Sequence, residues 1–137
     1  MSSAVQSSDA PQPQKVNYSK SRNCLELTYA EGEKLELSAE MLRVLSPSAE
    51  VQGHGDPILQ VGKKDVRIWK IEPVGRYALK LSFDDEHDSG LFTWDYLWHL
   101  GQNKEKLWQQ YLSKLEAAGE SREPKLIPLA VDAGRKN

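Results

Sequence analysis

The stretch that most constrains the fold is residues 77–97, YALKLSFDDEHDSGLFTWDYL. Its first half alternates apolar residues with small or polar ones, the period of two that predicts a strand with one buried face. The apolar positions are Tyr77, Leu79, Leu81 and Phe83. The five polar residues 84–88 predict a turn, a short strand follows, and Thr93 is a suitable N-cap for a helix that begins at Trp94. His87 is therefore expected on a loop between two packed elements.

The preceding part of the chain predicts a hairpin and a short helix. Residues 24–29 and 34–37 alternate in the same way on either side of Gly32, which favours a hairpin with glycine at its turn. Ser38 can cap a helix whose apolar residues recur at helical spacing. That helix should end near Leu45, because a proline follows shortly after it.

A second hairpin is predicted immediately before the central stretch. Residues 65–71 are rich in β-branched and aromatic side chains, which favours a strand, and a shorter strand is predicted at residues 58–61. Residues 72–75 place proline and glycine as in a type I turn followed by a left-handed glycine. The strand at 65–71 should therefore pair antiparallel with the strand at 77–83.

Two helices are predicted at the C-terminal end of the domain. The helix from Trp94 should end at Gly101, a C-cap glycine, and Asn103 can cap a second helix that ends before Gly119. The whole pattern predicts an α+β fold. Its sheet of hairpins is antiparallel or mixed, a short helix follows the first hairpin, and the two C-terminal helices pack on the sheet.

The chain has 137 residues, which is enough for one domain. Residues 1–15 are rich in serine, glutamine and proline and are predicted to be a disordered N-terminal tail. The domain is assigned to residues 16–118. The charged residues 119–137 are predicted to be a flexible C-terminal tail, whose few apolar side chains are candidates for docking on a partner.

Charge and hydropathy disfavour several classes of protein. Lysine and arginine number 18 against 20 acidic residues, so the net charge of −2 gives no basic field that attracts nucleic acid. No apolar stretch reaches the roughly 18 residues that suggest a membrane span, and the first residues lack the apolar core of a signal peptide. The single cysteine, Cys24, excludes an internal disulfide and suits a reducing compartment. We therefore expect a cytoplasmic protein whose partner is another protein rather than a membrane or a nucleic acid.

Two histidines on polar loops are the candidate site residues. His87 lies among the carboxylates of residues 84–88, which would stabilise an imidazolium and offer oxygen donors beside a nitrogen donor. The simpler interpretation is a solvated acidic turn whose histidine caps a backbone carbonyl. His54 lies between two glycines, which suits a loop that closes on a ligand and equally suits an idle loop. If both imidazoles converged, Asp85 or Glu86 would complete a two-histidine, one-carboxylate set that iron or zinc accepts.

No other pattern indicates catalysis. The chain has no nucleophile elbow, no H-E-x-x-H helix and no glycine-rich phosphate loop. The four tryptophans fall within patterned elements and are predicted to be core residues rather than a stacking platform. They are Trp69, Trp94, Trp98 and Trp108. A small basic spot at residues 63–67 is interpreted as protection of an edge strand against aggregation.

Five motifs occur in the same order as in a known family. They are LR at 42–43, SPSAEV at 46–51, PVGRYAL at 73–79, DEHDSG at 85–90 and WDYL at 94–97. Over about residues 18–112 the chain resembles the family named for the N-terminal domain of gamma-butyrobetaine hydroxylase, also known as domain of unknown function 971.

The resemblance implies a metal context. In the hydroxylases this domain precedes a 2-oxoglutarate and iron(II) oxygenase domain, and it binds zinc through three cysteines on one loop and the histidine of a D-x-H motif. That histidine corresponds to His87, whereas the cysteine loop corresponds to residues 46–53, which contain no cysteine. The family's zinc site is therefore not expected here, and neither is hydroxylase activity, because this sequence carries no oxygenase domain. Family members fused to P-loop ATPases of iron–sulfur cluster assembly imply a role near metal or cluster trafficking.

Two functional hypotheses follow. The favoured one is a non-catalytic binding or interaction module, accessory to iron or iron–sulfur metabolism, with the His87 turn and the His54 loop as its functional face. The other is a mononuclear metal-dependent enzyme or metal-binding protein that uses His54, His87 and Asp85. The sequence assigns no catalytic residue and no certain cofactor, and it leaves the identity of the partner and the oligomeric state open.

Overall fold

The computed structural model describes residues 10–53 and 55–124. The strands of this part are β1 Lys15–Ser19, β2 Cys24–Thr28, β3 Lys34–Ser38, β4 Ile68–Val74, β5 Ala78–Phe83 and β6 Asp88–Thr93. The helices are α1 Ala39–Val44, α2 Ala49–Gln52, α3 Trp94–Gln102 and α4 Lys104–Ala117. The outer parts of the two predicted tails, residues 1–9 and 125–137, lie outside the described residues.

The strands form two antiparallel sheets of three strands each, in the orders β1-β2-β3 and β4-β5-β6. Side chains from both sheets and from α1 and α3 form one apolar core. Its fully buried members include Leu25, Leu37, Leu81, Phe83 and Phe92. The α+β prediction is confirmed, with the strands divided between two sheets. No helix in the described residues is long and apolar enough to cross a lipid bilayer.

The first sheet contains the predicted hairpin and one strand that the sequence did not predict. β2 pairs with β3 along its whole length, and Gly32 takes a left-handed conformation in the turn, with φ of +85°. β1 adds to the other side of β2 and begins at Lys15, the last residue of the predicted tail. Only Val16 and Tyr18 of β1 pack on the core. Two apolar residues are too few for periodicity to reveal a strand.

The second hairpin pairs as predicted but turns later. β4 extends to Val74, so the turn consists of residues 75–77 rather than 72–75. Pro73 lies within β4, which tolerates a proline because it is an edge strand. Tyr77 consequently lies in the turn and is 53% exposed, so its predicted place on the buried face was wrong.

Two further predictions for the region before β5 were wrong. Residues 58–61 form no strand and belong to the irregular connection between α2 and β4. Trp69 is 67% exposed, whereas the other three tryptophans pack against the core as predicted. The register of β4 against β5 shifts between Ile68 and Lys70, and this irregularity turns Trp69 outward.

Helices α1, α3 and α4 form as predicted, although α3 ends later than expected, whereas α2 lies in a segment that was predicted to be a loop. Ser38 and Thr93 cap α1 and α3, because each hydroxyl accepts a hydrogen bond from a backbone amide of the first turn. α3 continues through Gly101, which is therefore not its C-cap. A Cβ at Gly101 would overlap the Leu35 side chain, so glycine serves close packing here. α4 ends before Gly119, as predicted.

Residues 121–123 lie against the domain. The backbone amides of Gly62 and Lys64 donate to carbonyls of this segment, each at 3.0 Å. The Arg122 guanidinium donates two hydrogen bonds, of 2.7 and 2.8 Å, to the carboxylate of Glu40, whose side chain is only 6% exposed. A bidentate ion pair fixes both the position and the orientation of the Arg122 side chain. Because Glu40 belongs to α1, the segment after α4 is held against that helix.

Candidate functional site

His87 closes the turn between β5 and β6 and is buried. The amide of Phe83 donates to the His87 carbonyl at 2.9 Å. Glu86 within the turn takes a left-handed conformation, with φ of +67°. His87 is 3% exposed, and its ring centroid lies 5.9 Å from that of Phe83. The imidazole therefore faces the interior of the protein rather than the solvated side of the acidic turn.

The partners of the imidazole come from residues 46–50, far earlier in the chain. Nδ1 is hydrogen-bonded to the Glu50 carboxylate, and Nε2 lies 3.0 Å from Ser46 Oγ and 3.3 Å from Ser48 Oγ. Ser46 is fully buried, whereas the Glu50 side chain is 70% exposed. The carboxylate that contacts the ring is thus not one from its own turn. We call Ser46, Ser48, Glu50 and His87 the His87 corner.

Local structure holds this segment against the turn. Ser48 is the N-cap residue of α2, and the carbonyl of Ser46 accepts a hydrogen bond of 2.9 Å from the Gln52 side-chain amide. Gly90 of β6 packs directly on Ser48, since a Cβ at Gly90 would lie 3.3 Å from the Ser48 Cα. Gly90 also has φ of +76°. Glycine is therefore required here both by the backbone conformation and by the close approach.

Both nitrogens of the His87 ring have hydrogen-bond partners within the His87 corner. Nδ1–H donates to the Glu50 carboxylate, which is acceptor-only when ionised. The Ser46 hydroxyl donates to the Ser89 carbonyl at 2.8 Å, and its oxygen accepts from the Ser48 amide at 3.3 Å.

The contacts between Ser48, His87 and Glu50 follow the order of nucleophile, base and carboxylate in a hydrolase triad. A general base needs an unprotonated Nε2 that faces the nucleophile. Here the hydroxyl nearer to Nε2 is that of Ser46, which donates its own hydrogen to the Ser89 carbonyl. The contacts of the ring join residues 46–50 to the turn that contains His87.

Asp85, the predicted carboxylate ligand, is engaged by two cations. Its Oδ2 accepts hydrogen bonds from Arg43 Nε at 2.8 Å and from Lys63 Nζ at 2.7 Å. The Arg43 side chain is 5% exposed and also donates to Gln60 Oε1 at 3.1 Å. Burial by itself would raise the pKa of Asp85, but the hydrogen bonds and charges of Lys63 and Arg43 hold that pKa below its ordinary value. Asp85 thus serves an ion pair that ties α1 to the turn.

The predicted metal set consists of His54, His87 and Asp85. His54 lies outside the described residues, so this set stays a prediction. Within the described residues, no three histidine, cysteine, aspartate or glutamate side chains lie together as a metal site would require. The zinc that the family resemblance implies does not fit this corner, because two hydroxyls stand beside the imidazole where thiolates would be needed.

Ser46, Ser48 and Glu50 are site residues that the sequence patterns did not reveal. Their contacts with His87 span 37 to 41 positions, and local periodicity carries no record of such distant contacts. The signal that could have found them is the family resemblance, because it aligns residues 46–53 with a loop whose side chains meet the histidine.

Comparison with known proteins found a matching family model and several similar solved structures. A family model described as gamma-butyrobetaine hydroxylase-like, N-terminal, matches residues 16–98. One NMR solution structure is 51% identical, covers 90% of this chain and 99% of its own, and has a TM-score of 0.75. A second NMR solution structure is 46% identical, covers 98% of this chain and 99% of its own, and has a TM-score of 0.76.

A crystal structure from Acidithiobacillus ferrooxidans ATCC 23270 is similar as well. That protein is described as one of unknown function in the DUF971 family. It is 36% identical, covers 66% of this chain and 92% of its own, and has a TM-score of 0.56. Among curated proteins there is no match.

Proposed function

Because the chain belongs to the gamma-butyrobetaine hydroxylase-like N-terminal family, we propose that it is a non-catalytic interaction module. Its binding face is the His87 corner together with the adjoining loop that contains His54. The partner is a protein, and the role is accessory to iron or iron–sulfur metabolism in the cytoplasm. The resemblance to domains that are fused to cluster-assembly ATPases supports this context by analogy.

One observation carries the proposal: a buried imidazole fixes an exposed carboxylate. His87 holds one oxygen of Glu50, while the Glu50 side chain stays 70% exposed. A carboxylate fixed in this way has little conformational freedom to lose on binding, and its second oxygen can still accept a hydrogen bond. Glu86 and Asp88, both exposed, flank His87 in sequence. The face is therefore acidic and preorganised, and it suits a basic surface on the partner.

Metal analysis separates this proposal from a metal-dependent protein. The full chain is purified without chelator and without an affinity-tag metal, as the wild type and as the His87→Ala and His54→Ala variants. A non-catalytic interaction module is expected to contain no stoichiometric metal in any of the three. Stoichiometric iron or zinc that is present in the wild type and lost in either variant would replace the proposal with a metal-binding function.

Site-directed crosslinking tests the binding face itself. A photoreactive residue replaces Ala49, which is exposed in α2 beside the His87 corner, and in the control it replaces Glu116, exposed on α4. We expect a discrete protein adduct from position 49 in extracts of the source cells, and none from position 116. The purified partner should then bind the Glu50→Gln variant about tenfold more weakly than the wild type. Equal affinity for both would remove the His87 corner from the binding face.

A further inference from the structure

Two edge strands, one from each sheet, run side by side without pairing. Among the described strands, β1 pairs only with β2, and β4 pairs only with β5. Beyond one end, the Gln12 side chain donates to the Arg76 carbonyl at 3.4 Å. Near the other end, the Ile68 amide donates to the Tyr18 hydroxyl at 3.4 Å. The two strands therefore run in opposite directions with a gap between them.

This gap is an open cavity of about 520 Å³, which we call the edge groove. Its lining includes Tyr18, Lys20, Arg67, Trp69, Ile71 and Asp84. We infer that the edge groove binds an extended peptide segment of another protein, in which large apolar side chains alternate with carboxylates. The inference goes beyond the proposed function, because the edge groove shares no residue with the His87 corner.

Trp69 distinguishes this groove from an ordinary sheet edge. Ile68 and Lys70 pair with consecutive residues of β5, which leaves Trp69 as an extra residue in the strand. Such a bulge bends an edge strand and re-aims its side chain. Trp69 is left 67% exposed, two positions from the partly buried Ile71 on the same strand. Tryptophan at an exposed position offers a large apolar surface for a partner side chain to cover.

The charges at the groove favour an acidic partner. Arg67 donates from its guanidinium to the Lys20 carbonyl at 2.5 Å, which places these two cationic residues together. Neither side chain forms an ion pair with a carboxylate in the part of the chain that the structure describes. Asp84 also lines the groove, and its Oδ1 accepts from the Arg67 backbone amide at 3.1 Å. Two unpaired cations in a chain of net charge −2 attract carboxylates locally.

The backbone of β4 supplies the second part of the recognition. An edge strand leaves N–H and C=O groups free to pair with an added strand, and alternate side chains then set the specificity. Pro73 has no N–H and the Ile68 amide already donates to the Tyr18 hydroxyl, so pairing is confined to the part of β4 between these two residues. That part carries Trp69 and Ile71, which both line the edge groove. The bound segment is therefore short, and its apolar residues pack on these two side chains.

The test uses a fluorescein-labelled ten-residue peptide in which phenylalanine alternates with glutamate, titrated with the full chain and followed by fluorescence anisotropy. We expect saturable binding that weakens about tenfold or more in Trp69→Ala and about threefold in Arg67→Gln. A peptide with lysine in place of glutamate should bind about tenfold more weakly. Tyr77→Ala is the matched control, because Tyr77 is an exposed aromatic residue outside the groove. The affinity of this variant for the glutamate peptide should stay within about twofold of that of the wild type.

Several outcomes would overturn the inference. They are the absence of saturable binding, equal binding by Trp69→Ala, and equal binding of the two peptides. A concentration-dependent dimer that Trp69→Ala abolishes and the peptide does not compete with would assign the groove to a second copy of the chain. A folded His87→Ala variant should still bind the peptide, so this experiment can fail while the proposed function stands, and the reverse also holds.

Discussion

His87 and Tyr29 are two buried polar residues whose polar atoms are satisfied to different degrees. Both ring nitrogens of His87 have partners. Tyr29 is 3% exposed, and its hydroxyl has no hydrogen-bond partner among the described residues. The Tyr29 ring meets Trp98 edge to face at 5.0 Å, which is a favourable aromatic contact. Tyr29 therefore stabilises the core through its ring, while its hydroxyl carries a desolvation cost of about 1–3 kcal/mol.

Removal of that hydroxyl should stabilise the protein. Tyr29→Phe keeps the ring contact and is expected to raise the free energy of unfolding by about 1 kcal/mol. Tyr111→Phe is the matched control, because the Tyr111 hydroxyl donates to the Gln60 carbonyl at 2.8 Å. The loss of this hydrogen bond in Tyr111→Phe should lower the free energy of unfolding by about 1 kcal/mol. Urea unfolding followed by circular dichroism measures both, and a Tyr29→Phe variant less stable than wild type would mean that the hydroxyl has a partner.

At the scale of elements, the His87 corner depends on the meeting of β6 with the start of α2. Gly90 lies in β6 with a left-handed φ of +76°, and a Cβ there would approach the Ser48 Cα to 3.3 Å and its amide nitrogen to 3.4 Å. These are backbone atoms, which cannot rotate away as a side-chain end could. The contact therefore sets the distance at which the Ser48 hydroxyl and the His87 ring face each other.

Gly90→Ala should cost more than a substitution that introduces backbone strain alone. Gly32 is the matched control, because its φ is +85° and no atom of residues 10–53 and 55–124 lies within 4 Å of the position of a Cβ. Gly32→Ala is expected to lower the free energy of unfolding by about 1 kcal/mol, from left-handed strain. Gly90→Ala should lower it by about 2 kcal/mol or more, since β6 must also shift away from Ser48. Equal losses in urea unfolding would show that the close approach carries no penalty.

The elements that could be predicted are those with enough apolar residues at regular spacing. β2, β3, β5 and the helices α1, α3 and α4 have this pattern, and their capping residues, Ser38 and Thr93, act locally. β1 packs only two apolar side chains on the core, so it was missed. Gly101 has the chemistry of a C-cap, and only the three-dimensional approach of Leu35 reveals that it serves packing instead.

Only part of the candidate site could be predicted from the sequence. The polar run before β6 was enough to place His87 at a turn. Its partners could not be predicted, because Glu50 and Ser46 reach the ring only after the chain has folded back from α1. Asp85 is itself a predicted ligand, two positions before His87, yet its carboxylate turns to Arg43 and Lys63. Neighbours in sequence predicted the turn correctly, but they did not predict which side chains meet across it.

At the scale of the whole molecule, burial raises the pKa of three phenols, those of Tyr29, Tyr96 and Tyr111, and so protects them from ionisation. Burial, reinforced by the charge of Glu33, raises the pKa of Tyr29 from 10.0 to about 12. Burial also raises the pKa of Tyr111 from 10.0 to about 12, with Glu40 adding to the effect while Arg122 and Arg43 oppose it. Both residues lie in apolar clusters that hold helices and sheets together. Their titration is therefore linked to global unfolding.

The protein should lose stability as the pH rises from 10 to 12. In that window the unfolded chain releases phenol protons that the folded chain still binds, so the free energy of unfolding falls with increasing pH. Below pH 10 each of these tyrosines makes its full contribution to stability. Between pH 10 and 12 the free energy of unfolding falls by about 1.4 kcal/mol per tyrosine for each pH unit. Urea unfolding at successive pH values measures the slope. Tyr29→Phe removes one of these phenols, so its stability should fall less steeply in this window than that of the wild type. If the two slopes were the same, the Tyr29 phenol would ionise as readily in the folded protein as in the unfolded chain, and burial at its position would not be what shifts the pKa.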